Sequence, residues 1–198
     1  LNQYNRDTGG FQHFKHNKAD PYSISGDYIF SIYEDSNGDL WIGTINRGLN
    51  KFDRKQQRFS HFTQNKTNTY SFSSNTITSI YEDNQGVTWS GTVAGGSNHF
   101  YLGRERFQHY QHRQGDPTSL SENTVNSIFE DNQGILWIGT QFGGLNRYDT
   151  DKQNFSHIKH EKSDPESLRD NMVTAVLEDS QERLWVGNNV WGISLYDR

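Results

Sequence analysis

Short runs of β-branched and aromatic residues, each closed off by Gly, Asn, Asp or Ser, recur along the whole chain and predict strands rather than helices. Residues 77–82, 125–130 and 173–178 make one set of runs, and 88–92, 136–140 and 184–187 a second. A third set lies at 49–53, 145–149 and 193–197, and a fourth at 59–62, 107–110 and 155–158. No apolar run is long enough for a membrane helix or a helix buried in a soluble core.

The sets recur with a fixed step. Trp41, Trp89, Trp137 and Trp185 are each 48 residues apart, and the chain divides without insertion or deletion into 1–48, 49–96, 97–144 and 145–192, with 193–198 opening a fifth copy. Such a period marks a repeat architecture in which each unit is too small to stand alone and buries its apolar faces against its neighbours. Several offsets are filled identically in all four copies: Asn2/50/98/146, Phe11/59/107/155, His13/61/109/157, Ser23/71/119/167, the pair Glu34-Asp35 with its three equivalents, and Gly43/91/139/187.

Turn chemistry separates the strands. Asp83 to Gly86 and Asp131 to Gly134 form Asp-x-x-Gly turns, in which the carboxylate can accept backbone N–H bonds and Gly takes a positive φ. Glu182 stands at the Gly position of the last copy, so that hairpin is expected to be slightly strained. The polar stretch 149–154 predicts an exposed hairpin loop. The longest connection, 116–123, is expected to fold Ser119 and Leu120 back against the strands.

Four short antiparallel strands per unit, with a Trp and a Gly in each, predict an all-β fold: a β-propeller of four-stranded antiparallel blades, about four of them in this chain. The boundaries read as a partial blade at 1–27, blades at 28–63, 76–111 and 124–159, and a partial blade at 172–198. Two strands at the start, four in each of three complete blades and three at the end make seventeen. The third strand of a blade thus occurs at both ends, which points to part of a larger ring rather than a closed four-bladed one.

Composition narrows the partners. Apolar residues total 31% and aromatics 14%, so aromatic and β-branched side chains must supply the core. The net charge of −5 comes from interleaved acids and bases, leaving no basic stripe for nucleic acid or an anionic membrane surface. With no cysteine there are no disulfides, zinc-thiolate sites or cysteine nucleophiles. The chain opens inside a repeat and shows no signal peptide.

Asp116-Pro117-Thr118-Ser119-Leu120, Asn123-Thr124-Val125, Glu130-Asp131-Asn132-Gln133-Gly134, Leu136-Trp137-Ile138-Gly139-Thr140 and Gly143-Gly144-Leu145-Asn146-Arg147-Tyr148-Asp149, at fixed offsets, resemble the two-component regulator propeller repeat. The resemblance implies a larger, seven-bladed ring in the extracytoplasmic, periplasmic sensor region of a bacterial inner-membrane signalling receptor. It also implies a kinase, cyclase or DNA-binding output elsewhere. Departures are local: Thr69 for Pro, Ser90 for Ile or Val, Ser97 for Leu, and Asn188-Asn189-Val190-Trp191 where Thr and Gly are expected.

Repetition also sorts the candidate chemistry, because a residue present in every blade is most simply explained by a task every blade has. The Glu-Asp pairs could be glycosidase acids, but adjacent strand residues point to opposite faces, and the turn role of the Asp suffices. The four repeat tryptophans are expected to fill the space between blades rather than stack on sugars. His13, His109 and His157 begin His-x-x-His, but ring nitrogens on outer strands of different blades cannot converge on a metal, so these read as hydrogen-bonded structural residues. His99, outside that pattern, reads as a surface residue. No metal, cofactor or catalytic residue is expected.

The positions where blades disagree are the candidates for binding. Loops between second and third strands, with those entering the innermost strands, are expected to share one face around a central channel. Asn46, Arg47, Gln141, Phe142, Asn189 and Trp191 bring amides, aromatic surface and a guanidinium there, a mixture suited to a carbohydrate or other polar small ligand. A non-catalytic sensing or scaffolding propeller is the leading expectation, with other blades or domains of the receptor and a homodimer as further partners, and no membrane insertion by this segment. A polysaccharide hydrolase or lyase would need symmetry-breaking acids, here Asp27, Asp39, Glu122 and Asp170. A protein-interaction platform is a third reading.

Overall fold

The computed structural model describes residues 1–101 and 106–196. They form a β-propeller arc of about four blades with no helix. A hairpin of β1 (Asn2–Tyr4) and β2 (Phe11–His13) comes first. The first full blade contains β3 (Ile29–Glu34), β4 (Leu40–Thr44), β5 (Leu49–Asp53) and β6 (Arg58–Phe62). The second contains β7 (Ile77–Glu82), β8 (Val87–Thr92), β9 (Ser97–Tyr101) and β10 (Gln108–Tyr110), and the third β11 (Val125–Glu130), β12 (Leu136–Thr140), β13 (Leu145–Asp149) and β14 (Asn154–Ile158). In the fourth, β15 (Val173–Glu178), β16 (Leu184–Asn188) and β17 (Ile193–Tyr196) are described. The expected end of that last strand, Asp197, lies outside the described residues.

Within every sheet neighbouring strands are consecutive and antiparallel. The innermost strands β3, β7, β11 and β15 lie side by side in that order. Each carries a bulge at its second residue, between Ile29 and Ser31, Ile77 and Ser79, Val125 and Ser127, and Val173 and Ala175. An inserted residue at a bulge leaves the ladder and re-aims its side chain. Thr78 Oγ1 accordingly donates to the Val125 carbonyl and Asn126 Nδ2 to the Val173 carbonyl at 2.9 Å, each reaching the next blade.

The core lies between blades, as the repeat logic requires. Trp41, Trp89 and Trp137 are buried, and each indole meets an aromatic ring on the third strand of the following blade: Phe100 at 5.4 Å, Tyr148 at 5.3 Å and Tyr196 at 5.7 Å between centroids. Such edge-on pairs add about 0.5–1.5 kcal/mol beyond the apolar area they bury. The glycine two residues after Trp41, Trp89 and Trp137 is a steric requirement: a Cβ on Gly139 would fall 2.5 Å from Ser127 Oγ and 2.6 Å from Val173 Cγ1 of the next blade. Ser119 and Leu120 are buried, so the long connection folds back as expected.

Candidate functional site

The repeated motif is occupied by structure. Asp35 Oδ2 accepts the Trp41 indole N–H at 2.8 Å, while its Oδ1 accepts the backbone N–H groups of Asn37 and Asp39. Asp83 with Trp89, Asp131 with Trp137 and Asp179 with Trp185 repeat the indole bond at 2.7–2.8 Å. The adjacent glutamates face the preceding blade. Glu82 accepts Ser36 N–H at 2.6 Å and Ser36 O–H at 2.8 Å, Glu130 accepts Asn84 N–H at 2.8 Å, and Glu178 accepts Asn132 N–H at 2.6 Å. Burial pushes the Glu130 carboxyl above the usual range, against the pull of the Asn84 N–H. A cleft of about 520 Å³ lies among Tyr33, Tyr81, Glu34, Asp35, Glu82, Asp83 and Glu130. Its carboxylates are taken up by these bonds and by the Glu34–Arg54 ion pair at 2.8 Å.

The histidines hold loops. Nε2 of His61, His109 and His157 each lies 2.7 Å from the carbonyl of Ser23, Ser71 and Ser119, which pins the long connection to the outermost strand. The second histidines do the same three residues on, with Nδ1 of His112 at 2.9 Å from the Leu120 carbonyl and that of His160 at 2.6 Å from the Leu168 carbonyl. Among the described residues no group of three or more His, Asp or Glu is placed to hold a metal ion. His99 is not a surface residue. It packs edge-on against Trp89 and Tyr110 with ring centroids 4.9 and 5.2 Å away, and burial lowers its pKa.

The six residues singled out by symmetry breaking sit on the opposite face. Each second-to-third-strand loop is tied to the residue that enters its own innermost strand, through Ile45 N–H to Tyr28 O, Val93 N–H to Thr76 O, Gln141 N–H to Thr124 O and Asn189 N–H to Met172 O, at 2.9–3.2 Å. Neighbouring blades join the same surface, since Asn46 N–H donates to Thr76 Oγ1 at 3.0 Å and Gly144 N–H to Asn171 O at 2.9 Å. These loops therefore form one continuous face. Phe142 and Trp191 project from it with 66% and 68% of their surface exposed.

Arg47 and Asn46 are set by local geometry. Asn46 adopts φ 62°, a left-handed turn position that Asn tolerates, and its Oδ1 accepts the Thr76 hydroxyl at 3.0 Å. The Arg47 stem lies where a side chain on residue 26 would go, since a Cβ on Gly26 would fall 2.8 Å from Arg47 Cγ. Gln141 is half-buried, its N–H held by Glu122 at 3.2 Å, and Asn189 is exposed.

Sequence reasoning overlooked one aromatic group here. Phe30 occupies the bulge position of β3, where Thr78 and Asn126 bond to the next blade, and it is 56% exposed beside Tyr28 at 77%. The signal was available, because Phe30 breaks the repeat at a position otherwise filled by polar residues. The four acids considered for catalysis are engaged: Asp27 accepts His16 N–H at 2.8 Å, Asp39 pairs with Lys51, Glu122 accepts Thr124 N–H at 2.7 Å, and Asp170 accepts Met172 N–H at 3.1 Å.

Comparison with known proteins agrees with this architecture. Residues 23–46, 71–94, 119–142 and 167–190 each match the family described as Two component regulator propeller. None of the curated protein sequences matches. Among solved structures, the chain is similar over its whole length to one described as the extracellular domain of a hybrid two component system from B. thetaiotaomicron, at 23% identity and a TM-score of 0.81. A second such domain from that organism aligns over 98% of the chain at 23% identity and a TM-score of 0.67, covering 30% of its own length. PorZ, a surface component of the type-IX secretion system of Porphyromonas gingivalis, aligns over 96% of the chain and 29% of its own, at 14% identity and a TM-score of 0.68. The chain spans about a quarter of the first of these structures, 25% of its length.

Proposed function

The chain is a tandem of two component regulator propeller repeats, and on that premise we propose that it serves as a non-catalytic ligand-sensing segment in the extracytoplasmic region of a bacterial signalling receptor. The observation that carries this reading is the division of labour between the two faces. On one, the repeated Glu, Asp and Trp are spent on turns, on blade contacts and, for Glu34, on the ion pair with Arg54. On the other, equivalent loops share a backbone framework but present different side chains: Asn46 and Arg47, Gln141 and Phe142, Asn189 and Trp191.

Exposed aromatic faces beside amides and a guanidinium suit a glycan, whose sugar rings stack on aromatic carbon while hydroxyls exchange hydrogen bonds with amides and Arg. Phe30 and Tyr28 enlarge that aromatic surface. A ligand bridging loops of several blades would change how firmly the blades are held together, and that difference is what a receptor transmits. Isothermal calorimetry against a glycan panel tests the reading. Arg47→Ala, Phe142→Ala and Trp191→Ala are each expected to weaken the binding observed, by roughly 5- to 30-fold for loss of a contact of about 1–2 kcal/mol. Unchanged affinity in all three would place the ligand elsewhere.

A further inference from the structure

In the first two full blades, the loop between second and third strands is clamped to the next blade by one bond. Asn46 N–H donates to Thr76 Oγ1 at 3.0 Å and Ala94 N–H to Thr124 Oγ1 at 3.3 Å, with both donor residues in the left-handed conformation at φ 62° and 60°. By the 48-residue step the third such pair is Phe142 with Met172, the single methionine of the chain. A thioether gives that N–H no hydroxyl to meet. Nor is Phe142 left-handed, a conformation that bulky side chains resist. Among the described residues its N–H has no protein acceptor.

The rest of this junction is intact. Gly144 N–H donates to Asn171 O at 2.9 Å, as Gly48 does to Asn75 and Gly96 to Asn123 at 2.8 Å, and below it Asn126 reaches the Val173 carbonyl. Phe142 is also held on either side. Glu122, where the other blades carry Gly26, Ser74 and Asp170, accepts the Gln141 N–H at 3.2 Å, and Thr140 Oγ1 accepts the Gly143 N–H at 3.1 Å. Gly143 is buried so closely against the loop entering the blade that a Cβ would fall 2.8 Å from Glu122 Cβ. One residue is thus fixed between two anchors while its ring is 66% exposed and its own N–H is released from the clamp.

We infer that Phe142 and Met172 form one subsite at the junction of the third and fourth blades, and that it takes a hydroxyl of a neutral sugar. The inference rests on the glycan reading above and names where that ligand is held. The sugar oxygen accepts the Phe142 N–H, as the oxygens of Thr76 and Thr124 accept theirs. The Phe142 ring and the adaptable Met172 thioether give its C–H face an apolar surface. An anion is disfavoured, because the Glu122 carboxylate is bonded to the neighbouring residue and would repel it. Bound in this way, the sugar stands in for the missing threonine and ties the third blade to the fourth. At the two earlier junctions the corresponding N–H groups are already taken.

Nuclear magnetic resonance of the full chain tests this in two steps. Without ligand, the Phe142 amide should be at least about tenfold less protected from exchange than those of Asn46 and Ala94. Equal protection overturns the inference whatever binds. The second step adds maltotetraose, cellotetraose or xylotetraose, with tetragalacturonate as the charged control. With methyl-labelled methionine, Met172 gives a single resonance, and a neutral sugar that calorimetry shows to bind should shift it together with the Phe142 amide. Met172→Thr, which returns the competing hydroxyl, should bind that sugar at least about tenfold more weakly than the equally shaped Met172→Val. Binding that leaves both signals unmoved, equal affinity of the two variants, or a response to tetragalacturonate alone overturns the inference and leaves the glycan reading standing. If none of the four sugars binds, the glycan reading fails and this subsite fails with it.

Discussion

The carboxylate of Asp35 accepts the indole N–H of Trp41 at 2.8 Å, six residues along, across the hairpin that joins them. One side chain thereby closes the turn, through Asn37 and Asp39, and fixes the ring that fills the junction with the next blade. The bond recurs in all four blades, which explains why Asp and Trp repeat together.

Removing that acceptor should be costly where it is buried. Asp35→Ala leaves an indole N–H and two backbone N–H groups without their acceptor, and a loss of roughly 2–4 kcal/mol is expected. Asp35→Asn, which keeps one oxygen, should lose less. Urea denaturation of the three proteins checks the order.

Glu182 offers the opposite effect. It holds φ 62° at the turn position where Gly38, Gly86 and Gly134 hold 75–79°. A left-handed conformation costs a residue with a Cβ about 1–2 kcal/mol, and glycine escapes this while losing more chain entropy. Glu182→Gly should therefore stabilise the protein by about 0.5–1 kcal/mol, read as a higher denaturation midpoint at unchanged slope.

That strain was legible in the sequence, as were the strands, their number and the propeller, because the 48-residue period locates every element four times over. Contacts between blades were not. Ser36 and Glu82 lie 46 residues apart, and nothing local in either turn says that they meet. His99 misled for a related reason: equivalent positions carry Lys51, Arg147 and Leu195, and only the fold shows that Tyr110, on the neighbouring strand, covers the imidazole. Phe30 was legible as a break in the repeat, where the equivalents are Thr78, Asn126 and Thr174, but the side it takes was not, because its bulge shifts the strand register just where alternation would have assigned it.

His99 makes stability depend on pH. Burial lowers its pKa, with the Gln108 hydrogen bond and the Asp83 charge opposing, so the unfolded chain binds the proton more readily than the folded one. Stability is then full above the ordinary histidine value of about 6.5 and falls as the pH drops below it toward the lower folded-state value. Denaturation at about pH 8 and about pH 5, either side of that value, should show a smaller acid loss in His99→Phe than in the parent.

The loop-holding histidines should behave as structural groups. His109→Ala removes the contact to the Ser71 carbonyl and is expected to cost about 1 kcal/mol. Neither zinc nor a chelator should shift the melting temperature of the parent, and a zinc-dependent rise would point to ligation.

The central claim is that ligand binds on the face carrying Arg47, Phe142 and Trp191 and not on the face carrying the repeated Glu-Asp turns. Hydrogen–deuterium exchange, with and without a saturating glycan identified by calorimetry, compares the two faces directly. Slowed exchange confined to 45–47, 141–143 and 189–191 is the result expected. Protection at the turns 35–38, 83–86 and 131–134, with those loops unchanged, would contradict it.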